Sequence, residues 1–135
     1  MITARDILQD MFNQVKCICD KTYIIERPAS TSDQVNSFIV CSIPGILYNN
    51  EISDNGEYDD YSTTVQFEVY VRDKTSASNL NQADINTIDK IVRKLLAKFP
   101  MITDHCVIAG PSQSMLISDG KQFHCTIIHA DMRTK

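Results

Sequence analysis

Ser62-Thr63-Thr64-Val65-Gln66-Phe67-Glu68-Val69-Tyr70-Val71-Arg72 alternates strictly between two kinds of side chain. Thr63, Val65, Phe67, Val69 and Val71 fall on one face; Thr64, Gln66, Glu68, Tyr70 and Arg72 fall on the other. A period of two over this length predicts an antiparallel β-strand with one face on a core and the other toward solvent or a partner. The rest of the chain must supply the cover for the apolar face.

Two amphipathic helices are expected to do so. Between Thr3 and Cys19, the residues Ile7, Leu8, Met11, Phe12, Val15 and Ile18 recur at three- and four-residue spacing, with Arg5, Gln9, Asn13 and Lys16 opposite. Thr3 and Asp6 approximate a capping box at its start. Between Asn81 and Phe99, a second stripe is formed by Ile85, Ile88, Val92, Leu95, Leu96 and Phe99. Asn81 is the expected cap, with Asp84 three residues on. Lys90, Arg93, Lys94 and Lys98 gather toward the C-terminal half, where cations oppose the negative end of the helix dipole, and Pro100 stops the helix.

The remaining segments read as strands and turns. Thr22–Glu26 is short and rich in β-formers, and Phe38–Ile43 is apolar on both parities, as a strand covered on both sides would be. Asn49–Tyr61 reads as an acidic loop with a turn at Asn55-Gly56. The end reads as a hairpin: His105–Ile108, a break at Gly110-Pro111, Ser114–Ser118, a turn at Asp119-Gly120, then Gln122–Ala130. The order α-β-β-β-α-β-β predicts an α+β fold, a two-layer sandwich with a mostly antiparallel sheet and both helices packed on one face.

A chain of 135 residues fits a single domain, and 43% hydrophobic with 22% charged residues is ordinary globular composition. The five cysteines are irregularly spaced, no secretory leader is visible at Met1–Asp6, and no apolar run reaches the roughly 20 residues that span a bilayer. These features point to free thiols in a reducing cytoplasm and to no membrane partner. The net charge of −4 is unevenly spread: Pro28 to Val71 holds seven acids and no Lys or Arg. Such a chain lacks the basic patch on which sequence-specific nucleic-acid binding depends.

Nothing in the sequence assembles a reaction centre. Cys17 and Cys19 sit two apart on a helix and diverge by about 200°, so they do not share an ion. On the last strand His124 faces away from Cys125 and His129, and the latter two are about 13 Å apart at ordinary strand rise. A Cys–His pair, Cys106 with His124 or Cys125 with His105, is the remaining nucleophilic candidate, and no residue is at hand to orient it. The acidic stretch lacks the ligand register of a calcium loop, and no glycine-rich phosphate loop is present. The expectation is a protein with no catalytic residues, no metal and no cofactor, and not an enzyme.

The order of elements resembles the small phage tail-terminator or tail-completion (head-tail joining) proteins of the lambda-like long-tailed phages. The resemblance rests on the acidic loop, the strand Tyr61–Arg72, the helix from Asn81 to Phe99 and the closing Phe123–Ala130, and it covers nearly the whole chain. It implies a structural protein that forms a ring, usually a hexamer, on a finished tail tube and meets the head-tail connector. The implied partners are the chain itself, the tail tube protein and the connector. The implied location is the host cytoplasm during assembly, then the virion tail. On that resemblance Glu51, Asp54, Glu57, Asp59 and Asp60 would rim a channel in which like charge lets DNA slide. Gln66, Glu68, Tyr70 and Arg72 would face a subunit or tube contact, and Lys90, Arg93, Lys94 and Lys98 would pair with a neighbour's acidic arm. The alternative reading is a small peptide- or ligand-binding α+β module acting as a monomer or dimer.

Overall fold

The alternating segment forms the longest strand of an α+β fold, and it begins at Tyr58 rather than Ser62. The computed structural model describes residues 1–26, 35–52, 56, 58–74, 82–114, 117–120 and 122–135, with backbone alone for 49–52, 58 and 59. In chain order the elements are α1 (Ala4–Val15), β1 (Lys21–Ile24), β2 (Ser37–Ser42), β3 (Tyr48–Ile52), β4 (Tyr58–Arg72), α2 (Ile85–Leu96), β5 (Met101–Ile102), β6 (Cys106–Gln113), β7 (Ile117–Ser118) and β8 (Phe123–Thr134). The eight strands form one mixed sheet in the order β1-β2-β4-β8-β6-β5, with β3 also beside β4 and β7 also beside β8.

The apolar face of β4 carries the core as its alternation predicts. Val65, Phe67 and Val69 are fully buried with Ile39 and Cys41 of β2 and Ile128 and Met132 of β8. Ile7, Leu8, Met11 and Val15 of α1 and Ile88, Ile91, Val92 and Leu95 of α2 complete the same cluster. Each such side chain contributes about 1.5–3 kcal/mol of burial.

Both helices are shorter than their stripes. At α1 the capping box forms: Asp6 N–H donates to Thr3 Oγ1 at 3.4 Å and Thr3 N–H donates to Asp6 Oδ2 at 2.9 Å. The helix ends at Val15, before Cys17 and Cys19. At α2 the cap is Asp84, which accepts the Thr87 N–H at 3.2 Å; Asn81 lies outside the described residues. Asp84 prevails because it also accepts the Thr87 hydroxyl at 2.7 Å, which fixes the first turn from that position.

The sheet departs from expectation in three places. β1 pairs parallel to β2, so the sheet is not a simple meander. Much of the stretch Asn49–Tyr61, read from sequence as an acidic loop, is strand: Asn49–Ile52 belong to β3 and Tyr58–Tyr61 to β4. β2 stops where Ser42 meets Gln66, and β3 takes up the same edge of β4 from Tyr48 opposite Ser62 to Ile52 opposite Tyr58, satisfying backbone groups that would otherwise be unpaired. Finally, β8 runs to Thr134 and pairs with β4 over Ser62–Arg72 and with β6 on its other side. The register with β6 shifts at Gly110-Pro111, where Gly110 has φ +66. A glycine and a residue without an N–H suit such a bulge.

The opposite face of the sheet is not uniformly open. At one end Val35, Phe38, Val40 and Phe123 form a second buried cluster, with Tyr23 and Tyr70 packed against it. Phe38 stacks on Tyr70 with ring centroids 4.6 Å apart and meets Phe123 edge-on at 5.3 Å. A description as a sheet covered on one side only is therefore incomplete.

Candidate functional site

The other half of that face is open, and its side chains lie in rows across three strands. Ser62, Arg133 and Val107 are neighbours in one row, with Tyr48 paired to Ser62 at its end. Thr64, Asp131 and Ala109 form the next row, and Gln66, His129 and Ser112 the one after. Gln66 Oε1 and His129 Nε2 are 2.8 Å apart. The first two rows line a shallow cleft of about 560 Å³, whose rim carries Ile46 and Tyr48. These two side chains are 67% and 59% exposed, unusual for large apolar groups beside a polar floor.

This geometry divides the polar residues that the alternation placed on one face. Gln66 lies on the open half. Tyr70 stacks in the second cluster. The Arg72 guanidinium donates to the Val35 carbonyl at 2.8 and 3.2 Å and lies 4.7 Å from the Phe123 ring centroid. Glu68, between Gln66 and Tyr70 on β4, is half-buried. Cross-strand aromatic contacts outweigh solvation at Tyr70 and Arg72, which alternation alone does not reveal.

Beyond Ser62 the backbone register of β4 with β8 ends, and Tyr58–Tyr61 pair in the ladder with β3, while the Tyr61 N–H donates to the side chain of Thr134 in β8 at 2.9 Å. Glu51, Asp59 and Asp60 fall on this two-stranded arm, with Gly56 at φ +82 in its connection. Asp54 and Glu57 lie outside the described residues. Asp60 Oδ1 accepts the Thr134 hydroxyl at 3.3 Å. On α2 and just past it, Lys90, Arg93, Lys94 and Lys98 are all exposed. Arg93 pairs with Asp89 at 2.8 Å, whereas Lys90, Lys94 and Lys98 have no ion partner among the described residues.

Two buried carboxylates carry most of the internal polar chemistry. Asp10 on α1, 6% exposed, accepts the Thr103 hydroxyl at 2.6 Å and the His105 N–H at 3.1 Å, and its Oδ2 is also 3.1 Å from His105 Nδ1. Cys106 N–H donates to Thr103 Oγ1 at 3.0 Å, so the turn between β5 and β6 is built on one aspartate of α1. Asp73, just past β4, contacts His124 Nδ1 directly, with the two side chains 2% and 18% exposed. Neither aspartate stood out in the sequence. The available signal for Asp10 was its spacing of three from Ile7, which places it beside the buried stripe.

The nucleophile pairs considered from sequence do not form. Cys106 pairs with Thr134, about 33 Å along β8 from His124 at ordinary strand rise, and His105 turns to Asp10. All five cysteines are free. Burial pushes the Cys41 thiol up to about 12 and the Cys19 thiol up to about 11, and it also raises Cys106, so these three stay protonated near neutral pH. Among the described residues no group of three or more His, Cys, Asp or Glu is placed to hold a metal ion, and no helix is long and apolar enough to cross a membrane.

No family model and no curated protein matches the chain in sequence. The fold is similar to a solved structure whose name gives no activity, ligand or partner, with a TM-score of 0.64 and 11% identity over 100% of this chain and 97% of that one. At that identity the likeness concerns the fold alone.

Proposed function

We propose that the chain is a structural subunit that assembles with copies of itself into a ring, in the manner of the phage tail-terminator and tail-completion proteins it resembles. The observation that carries this reading is a complementarity. A two-stranded arm bearing Glu51, Asp59 and Asp60 extends past the shared sheet, while Lys90, Lys94 and Lys98, on and beside α2, have no ion partner among the described residues. A two-stranded ribbon is marginal by itself in water and gains from a neighbour. An acidic arm seated on the next subunit's basic helix is a heterologous contact, the kind that closes into rings. The two-layer form fits the role, with the helices as one layer and the sheet carrying the arm as the other. The tail tube protein and the head-tail connector are the further partners, and the acidic arm rims the channel.

The test combines size measurement with electron microscopy. The chain, alone and with tube proteins encoded beside it, is expected to yield rings or capped tubes. K90E/K94E should abolish them, and adding Asp59→Lys and Asp60→Lys in the same chain should restore them. Rings that survive K90E/K94E unchanged would overturn the arm-to-helix contact. If no ring and no capped tube forms under any of these conditions, the structural reading falls.

A further inference from the structure

The open half of the sheet carries a charge pattern that matches itself. Asp131 and Arg133 point to the same side of β8, two residues apart and so about 7 Å along the strand. Both are exposed, and neither has a hydrogen bond or an ion pair from its side chain among the described residues. An unpaired acid and an unpaired base at this spacing, on a face rimmed by exposed Ile46 and Tyr48, form a complementary set when the face meets its own copy.

We infer that this face docks a second copy of the chain through a two-fold contact centred between Asp131 and Arg133. Consider an axis lying between two such faces and running along the rows, midway between the row of Arg133 and the row of Asp131. Rotation about it lays β8 antiparallel over β8 of the second copy. Asp131 then lies opposite Arg133 of the second copy, and Arg133 opposite its Asp131. In the same operation the hydroxyl of Ser62 meets that of Thr64, Val107 meets Ala109, and Tyr48 lands near the segment between β2 and β3 that carries Ile46. Acid falls on base, hydroxyl on hydroxyl and apolar on apolar without any side chain being moved to another row. Sheets stacked about 10 Å apart leave the reach that an aspartate and an arginine together span.

The contact is isologous and closes on two copies, so it differs from the heterologous contact of a ring and goes beyond that reading. It uses neither the acidic residues of the arm nor any residue of α2. The two can therefore fail separately.

Analytical ultracentrifugation of the purified chain tests it with four proteins: wild type, D131R, R133D and D131R/R133D. The wild type is expected to form dimers whose affinity falls with added salt, as an interface built on charge should. Each single reversal should weaken dimerisation by about tenfold or more, because symmetry places the repulsion at both ends of the contact. The double variant carries the swapped pattern, which is again self-complementary, and should recover dimerisation. Circular dichroism checks that all four fold, which their solvent-facing positions favour. Single reversals that dimerise like wild type, or a double variant that does not recover, would overturn the inference. So would a wild-type chain that stays monomeric at high concentration. Rings that form normally in the D131R variant would leave the ring reading standing while the two-fold contact is judged on its own data.

Discussion

The Thr103 hydroxyl donates to Asp10 Oδ2 at 2.6 Å across 93 residues of sequence, and the same oxygen accepts the backbone N–H of His105. One carboxylate on the first helix thus holds the turn that starts the second half of the sheet. Asp10→Ala removes the acceptor shared by the Thr103 hydroxyl and the His105 N–H, leaving only the longer contacts to the Cys106 carbonyl at 3.1 Å and to Thr103 Oγ1 at 3.4 Å, and it should lower stability by about 1–3 kcal/mol. Asp10→Asn keeps one acceptor oxygen and should cost less. Urea unfolding of the two variants measures both, and equal losses would show that the carboxylate is not acting as a shared acceptor.

Asp84 gives a pH prediction. Burial alone pushes its pKa up, but the Thr87 hydroxyl and N–H together with Lys74 outweigh that and hold it below the ordinary value of 3.8. A lowered folded pKa means stability that is fully present above the unfolded value and lost as pH falls through the folded one. Wild type should exceed Asp84→Asn in stability near neutral pH, and the gap should close as pH falls below about 4. Asp84→Ala removes the cap itself and should cost about 1 kcal/mol at neutral pH. A gap between wild type and the Asn variant that is unchanged down to pH 2 would show that the charge contributes nothing.

Arg72 was grouped by alternation with residues that meet a partner, yet its guanidinium is spent inside the chain. Lysine cannot reproduce two hydrogen bonds to one carbonyl and a flat contact with the Phe123 ring. Arg72→Lys should therefore destabilise the isolated chain by about 1–2 kcal/mol, a loss visible in thermal unfolding without any partner present. An unchanged midpoint would mean that these contacts carry little stability.

Ile25 closes a three-residue turn at the end of β1, where Glu26 N–H donates to the Ile24 carbonyl at 2.9 Å and Ile25 has φ +74. A β-branched residue in this region is strained, and the Ile25 side chain is 63% exposed, so little burial offsets the cost. Ile25→Gly should raise stability by about 0.5–1 kcal/mol after allowance for the greater freedom of glycine in the unfolded chain. A lower unfolding midpoint would mean that the isoleucine side chain contributes more than its exposure suggests.

These residues also show what could and could not be read from sequence. The alternation of β4 placed Val65, Phe67 and Val69 in the core, because period and burial are locally linked. The stripes of both helices emerged for the same reason, as did the capping box of Thr3 and Asp6. What escaped was decided by distant neighbours. Asp10 is buried because Thr103 and His105 come to it. Tyr48–Ile52 is a strand because β2 ends early and leaves an edge of β4 to be filled. Tyr70 and Arg72 face inward because Phe38 and Phe123 arrive from two other strands. For the open face, alternation named Gln66, but Asp131 and Arg133 gained meaning only when the ladder aligned them with Thr64 and Ser62.

The position of β8 bears on how the molecule comes into being. It is the last of the strands to be synthesised, yet it lies in the interior of the sheet, joined to β4 along eleven residue pairs and to β6 on its other side. While the chain is still being translated, β4 and β6 each present a bare edge with no strand between them. The sheet cannot close until residues 123–134 have left the ribosome, so the core forms after translation of this region rather than during it. Until then the facing edges of β4 and β6 are open to pairing with other chains.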